Sequence, residues 1–140
     1  MNDKLKFDEI AKNIKSWGKE IGFNDVGISN TQLSKNKKLY KKWIEDGFNG
    51  DMSYLERHQP QKFKPTELLS NTKSIISVRL DYLPLEANAL KALKNKNIAY
   101  ISRYAMGRDY HKVIRNKLKK LVQRIQETHK GKYKFRFFTD

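Results

Sequence analysis

The sequence predicts an α/β chain, an α+β sandwich in which a mixed sheet carries flanking helices. Segments with apolar residues every three or four positions take turns along the chain with segments that place them at every second position, the patterns of helices and strands. Gly and Pro stand at the junctions, where a chain changes direction. No internal repeat, heptad pattern or low-complexity tract competes with this reading.

The elements follow in order. Phe7, Ile10, Ala11, Ile14, Trp17 and Ile21 lie on one face of an amphipathic helix over residues 6–21, with Gly22 as its stop. DVGISN (25–30) reads as a short strand, and Thr31 or Ser34 is placed to cap a second helix that runs to about Asp46 and buries Tyr40, Trp43 and Ile44, with Gly47 beyond it. Both tryptophans sit on apolar stripes, so packing explains them. Between Gly47 and Pro65 the pattern breaks down apart from one helical turn at 52–57, and long irregular connections of this kind are often binding loops. PTELL (65–69) is a helical turn opened by Pro. SIISVRLDYL (74–83) sets Ile76, Val78, Leu80 and Tyr82 on one face of a strand ended by Pro84. A short helix over 85–96, a strand over 99–105, the longest helix over 109–129 and an aromatic strand over 132–140 complete the chain. The long helix turns Ile114, Leu118, Leu121, Val122 and Ile125 inward and Lys112, Arg115, Lys119 and Arg124 outward.

A chain of 140 residues fits one domain, 1–140, large enough to bury roughly two-thirds of the surface of its unfolded form. No apolar run approaches the roughly 20 residues of a membrane span, and the first ten residues lack the apolar centre of a signal peptide, which points to the cytoplasm. With no cysteine, disulfides, thiolate zinc sites and self-contained iron–sulfur clusters are excluded, and three dispersed histidines make no metal site. The 30 Lys and Arg against 15 Asp and Glu give a net charge of +15, which attracts polyanions, nucleic acid first. Most of these cations are Lys and Asn is abundant, so codon bias acting on a solvated surface is the competing explanation.

Two constellations carry candidate chemistry. In GRDYH (107–111), Asp109 is placed to accept from the free N–H groups that open the long helix, while Arg108, Lys112 and the helix end form an alternative anion site and Tyr110 and His111 offer a proton donor and a stacking face. In FRFFTD (135–140), Asp140 follows an aromatic strand. It is either a frayed end or a carboxyl whose apolar surroundings raise its pKa towards general-acid use. His58 and His129 read as solvated.

In sequence order, WGKEIGFNDVGIS, GFNGDMSYLERH, KPTELLSNTKSIISVRLDYLP, SRYAMGRDYHKVIRNKLKKL and FRFFTD resemble the N-terminal part of the epoxyqueuosine reductases, over essentially all 140 residues. The cobalamin-binding region of reductive dehalogenases is a more distant likeness. The resemblance implies the N-terminal portion of a cobalamin-binding catalytic domain, acting with two [4Fe-4S] clusters on tRNA that carries epoxyqueuosine, in a cytoplasmic monomer. It implies that Asp140 is the proton donor, beside cobalamin, where relatives have Phe-Val-Asp or Met-Val-Asp. Lys62 stands where the family has a basic residue, usually Arg, before its Pro-x-x-Leu-Leu segment, and Ser102 stands at a corrin contact that some relatives fill with Cys. Arg103 and Tyr110, with Tyr104, Arg108 and His111, match the motif that follows, and some of them are expected to line the cofactor or the flipped nucleotide. Relatives continue into a segment with eight cysteines. The 140 residues are therefore expected to be a fragment, inactive in isolation, with a basic tRNA-binding remnant without catalysis as the alternative.

Overall fold

The computed structural model describes residues 3–57, 59–83, 88–129 and 133–139. Its elements are helix α1 (Asp3–Glu20), strand β1 (Asp25–Ser29), helices α2 (Ser34–Glu45), α3 (Gln59–Phe63) and α4 (Pro65–Leu68), strand β2 (Ile75–Arg79), and helices α5 (Ala89–Lys94) and α6 (Tyr110–His129). Single 3₁₀ turns lie at Ser53–Leu55 and Arg103–Ala105. The architecture is mixed α/β, with β1 and β2 paired antiparallel. The chain forms two compact units, Met1–Gly27 with Ser77–Asp140 and Ile28–Ile76, and each strand starts in one and ends in the other.

In the first unit, α1 packs on α6. Ile14 of α1, Phe23 and Val26 beside it, and Leu118, Leu121 and Ile125 of α6 are the buried apolar side chains among the described residues. Their spacing on α6 is that of one helical face, as the sequence predicts. At Gly18, α1 lies close against β1: a Cβ there would overlap the Cγ2 methyl of Val26. At the end of α1, Gly22 takes φ +91°, and the carbonyls that the helix leaves free are taken by Lys117 of α6, whose Nζ donates to Ile21 O at 2.5 Å and Gly22 O at 3.3 Å. Arg124 pairs with Glu20 at 2.5 Å and lies 5.3 Å from the Trp17 ring, which also faces His129 at 6.0 Å.

In the second unit, Tyr40 and Trp43 of α2 are half-buried, with ring centres 5.8 Å apart, and Phe63 of α3 meets Tyr40 edge-on at 5.4 Å. The connection after Gly47 is more organised than its composition suggests. Asn49 is only 4% exposed, and its Nδ2 donates to Glu56 Oε1 at 2.9 Å, which closes the segment around the 3₁₀ turn.

The structure corrects several expectations. Residues 99–105 and 133–139 form no strand, although Phe135, Phe137 and Thr139 are half-buried and Lys134, Arg136 and Phe138 exposed, the alternation of a strand face. A strand exists only when a neighbour takes its N–H and C=O groups, and no described residue pairs with these segments in a ladder. Helix α3 was absent from the sequence reading because five residues are too few to show a period. Residue 33, a leucine without a side-chain cap bond, precedes α2 in place of Thr31 or Ser34. Phe7 and Tyr82 are 70% and 68% exposed, outside the faces expected to bury them. Arg124 and His129 are half-buried against Trp17, so neither is simply solvated. Pro84, the first residues of the helix expected at 85, and His58 lie outside the described residues.

Candidate functional site

Ser102 opens the 3₁₀ turn with extended backbone, φ −57° and ψ 131°, and its carbonyl accepts from Ala105 N at 3.0 Å. Ser102 and Arg103 are exposed, in the company of exposed Tyr100, Ile101 and Tyr104. Gly107 then takes φ +88°, a left-handed conformation that costs glycine little, and the chain turns into α6.

Asp109 caps α6. Its Oδ1 accepts from His111 N at 3.0 Å and lies 2.9 Å from His111 Nδ1, while its backbone carbonyl accepts from Lys112 and Val113. A carboxylate only accepts, so the imidazole donates from Nδ1. Tyr110, half-buried, stacks on the His111 ring at 4.0 Å. The side-chain bond from His111, and after it that residue's backbone N–H, hold the Asp109 carboxyl below its ordinary value of 3.8. Asp109 is therefore ionised at neutral pH, and it answers the helix end with its own charge. The cap reading holds, and the anion site expected directly at the N–H groups of this helix end is taken by Asp109.

The sign of the linkage follows from that lowered pKa. Because the folded state binds the proton less readily than the unfolded state, the contribution of Asp109 is complete above about pH 3.8 and is lost as pH falls through the lower, folded value. Thermal melts of wild type and Asp109→Asn across pH 2–7 are expected to differ by a constant amount above about pH 4 and to converge below it. A gap that persists unchanged in acid would remove the carboxylate's charge from the explanation.

Along α6 and the turn before it, Arg108, Lys112, Asn116, Lys117 and Lys120 line a depression of about 780 Å³ together with Asp109 and Val113. Lys117 is committed to the end of α1. Arg108, Lys112 and Lys120 are exposed and form no ion pair among the described residues.

Lys62 lies in the second unit, on α3. Its Nζ donates to Tyr40 Oη at 2.7 Å and Leu55 O at 2.6 Å, and Tyr40 Oη donates to the same carbonyl at 2.7 Å. An ammonium has three N–H donors, so one is left for any ligand. Sequence reasoning missed the Tyr40 and Leu55 partners, which are 22 and 7 positions away and leave no periodic signal. Asp140 lies outside the described residues; next to it, Thr139 Oγ1 is buried with no hydrogen-bond partner among them.

Cobalamin is an extended ring edged with amide-bearing arms. The residues around Ser102 suit it in their chemistry, since a hydroxyl and a guanidinium stand beside exposed aromatic and aliphatic side chains. Iron–sulfur clusters do not fit these 140 residues: there is no thiolate, and the described residues hold no group of three His, Asp or Glu able to hold a metal ion. No helix among the described residues is long and apolar enough to cross a membrane.

A mixed α/β chain whose cationic helix opens at a turn rich in Arg, Tyr and His presents positive charge and hydrogen-bond donors at its surface. Its relatives are more specific. The family model described as Epoxyqueuosine reductase QueG, DUF1730, matches residues 62–140, more than half of the chain, and the chain belongs to this family. It is 49% identical to the epoxyqueuosine reductase of Aliivibrio fischeri over 124 residues, 89% of this chain and 33% of the relative. Over all 140 residues it is 44% identical to the epoxyqueuosine reductase of Escherichia coli, covering 37% of that protein. Against the Pseudomonas aeruginosa epoxyqueuosine reductase the identity is 43% over 131 residues, 94% of this chain and 36% of the relative. The chain thus spans about a third of the length of the curated relatives it matches. No solved structure matches it.

Proposed function

We propose that the chain provides the N-terminal part of the cobalamin-binding catalytic domain of an epoxyqueuosine reductase, an oxidoreductase that converts epoxyqueuosine in tRNA to queuosine. The observation that carries the reading is the 44% identity to the Escherichia coli epoxyqueuosine reductase along the entire 140 residues. Converting the epoxide to an alkene breaks two C–O bonds, forms a C=C bond and releases water, which takes two electrons and two protons. Cobalamin, when bound, supplies the reducing chemistry; the iron–sulfur clusters that the resemblance implies would be held by sequence other than these 140 residues.

The roles assigned to this chain's own residues are to bind, orient and protonate. Ser102 and Arg103 contact the cofactor with hydroxyl and guanidinium donors, Lys62 adds its remaining N–H, and Tyr110 contributes an aromatic surface ordered by its stack on His111. Asp140, in its protonated form, gives a proton to the departing oxygen. The likeness of the FRFFTD segment to the family's Phe-Val-Asp and Met-Val-Asp segments supports that assignment. A monomer working in the cytoplasm, where tRNA is found, completes the reading.

The test is a chimera in which these 140 residues replace the matching segment of the Escherichia coli relative, expressed in a strain without its own enzyme. Mass spectrometry of tRNA nucleosides is expected to find queuosine. Epoxyqueuosine alone, from a folded and cofactor-loaded chimera, would refute the proposal. A second reading, tRNA binding without catalysis, is favoured by the net charge of +15, and the same chimera separates the two.

A further inference from the structure

We propose that the exposed face of α6 carrying Lys112, Asn116 and Lys120, together with Arg108 in the turn just before the helix, is the track on which the ribose-phosphate backbone of the tRNA lies. The proposal rests on the tRNA substrate of the preceding section and deepens it by assigning a docking surface. The placement is regular. Positions 112, 116 and 120 follow one another at four-residue intervals, so their side chains rise along one side of α6 by about 6 Å per step, and Arg108, which lines the same depression, lies two residues before the helix begins at Tyr110. Two cations and an amide are thus offered in a row along the helix, at a pitch comparable with the distance between neighbouring phosphates of one strand, with a third cation, Arg108, just before the helix start.

Charge and shape agree with that occupant. The depression of about 780 Å³ is lined by four cations and a single carboxylate. That carboxylate, Asp109, is already engaged by the backbone N–H and the ring of His111. Other basic residues are neutralised within the fold, such as Arg79 by Asp81 at 3.1 Å, Lys64 by Glu67 at 3.2 Å and Arg124 by Glu20. Arg108, Lys112 and Lys120 form no such pair among the described residues, so phosphates would not have to displace a partner. The track is also held in place. Lys117, on the same wall, fastens α6 to the end of α1 through Ile21 O and Gly22 O, which makes Lys112 and Lys120 part of a packed helix.

Phosphates neutralised by lysine and arginine release counterions, so the salt dependence of binding counts them. The experiment measures binding of a fluorescent, unmodified tRNA transcript to the 140-residue chain by anisotropy between about 50 and 200 mM salt. The variants are R108Q/K112Q/K120Q on α6 and the turn before it and, as a control that removes the same charge, K35Q/K38Q/K41Q on the exposed side of α2, with a dichroism melt showing that each is folded. The α6 variant is expected to bind at least about tenfold more weakly at low salt, with a slope of log K against log salt shallower by about 2–3, and the control by less than about 1. Equal losses in the two variants, an unchanged slope in the α6 variant, or no binding by the wild type would each overturn the proposal. Failure of the tracking surface and failure of the proposed activity remain distinguishable, since queuosine formation by the chimera is read independently of the anisotropy.

Discussion

Asp140→Asn in the chimera is expected to lower queuosine formation by a hundredfold or more, the usual range of about 10²–10⁴ for loss of a positioned general acid. The oxygen that leaves an epoxide is a poor leaving group until it is protonated, and an amide of nearly the same shape has no proton of suitable acidity to give. Cobalamin content should be unchanged in the variant, which separates a lost proton from a lost cofactor. The contrast with the chain's other notable aspartate is instructive. Asp109 is held ionised by His111 and works as a helix cap, so Asp109→Asn should cost stability and leave turnover within a few-fold of wild type. Undiminished turnover in Asp140→Asn would remove Asp140 from the mechanism.

Leu121→Ala should have the largest effect on stability, about 2–5 kcal/mol by the usual cost of emptying a packed leucine site. Leu121 is 2% exposed, the lowest among the described core residues, and lies on the α6 face that includes Leu118 and Ile125. The loss corresponds to a fall in Tm on the order of 10 °C for a chain of this size. Leu93→Ala, at a leucine 61% exposed on α5, should change stability by less than about 0.5 kcal/mol. Calorimetry of both variants beside wild type checks the pair, and similar Tm values would mean that the α1–α6 packing does not carry the fold.

These two predictions mark where the sequence was informative and where it was not. The inward face of α6 was legible because 20 helical residues display their period several times over, and Gly22 and Gly47 were legible as stops because both take positive φ. The cap of Asp109 was legible because its partners are the next few N–H groups. Strand pairing was not. Alternation at 133–139 reports which side chains face inward but says nothing of whether a neighbour takes the backbone. Contacts across long separations were equally hidden: Lys117 on Ile21 O is 96 positions away, and Arg124 on Glu20 is 104. In the candidate site, Ser102, Arg103, Tyr110 and Lys62 were chosen through the family likeness. What the structure adds is local: an exposed turn at Ser102, a stacked Tyr110 and a Lys62 two of whose donors are in use.

The most direct measurement of the central claim is a single-turnover reaction of the purified, cobalamin-loaded chimera with epoxyqueuosine-containing tRNA under reducing conditions, with nucleosides quantified by mass spectrometry. Conversion to queuosine in proportion to the enzyme present is the predicted result. Quantitative recovery of epoxyqueuosine, from a chimera that binds both cofactor and tRNA, would contradict it.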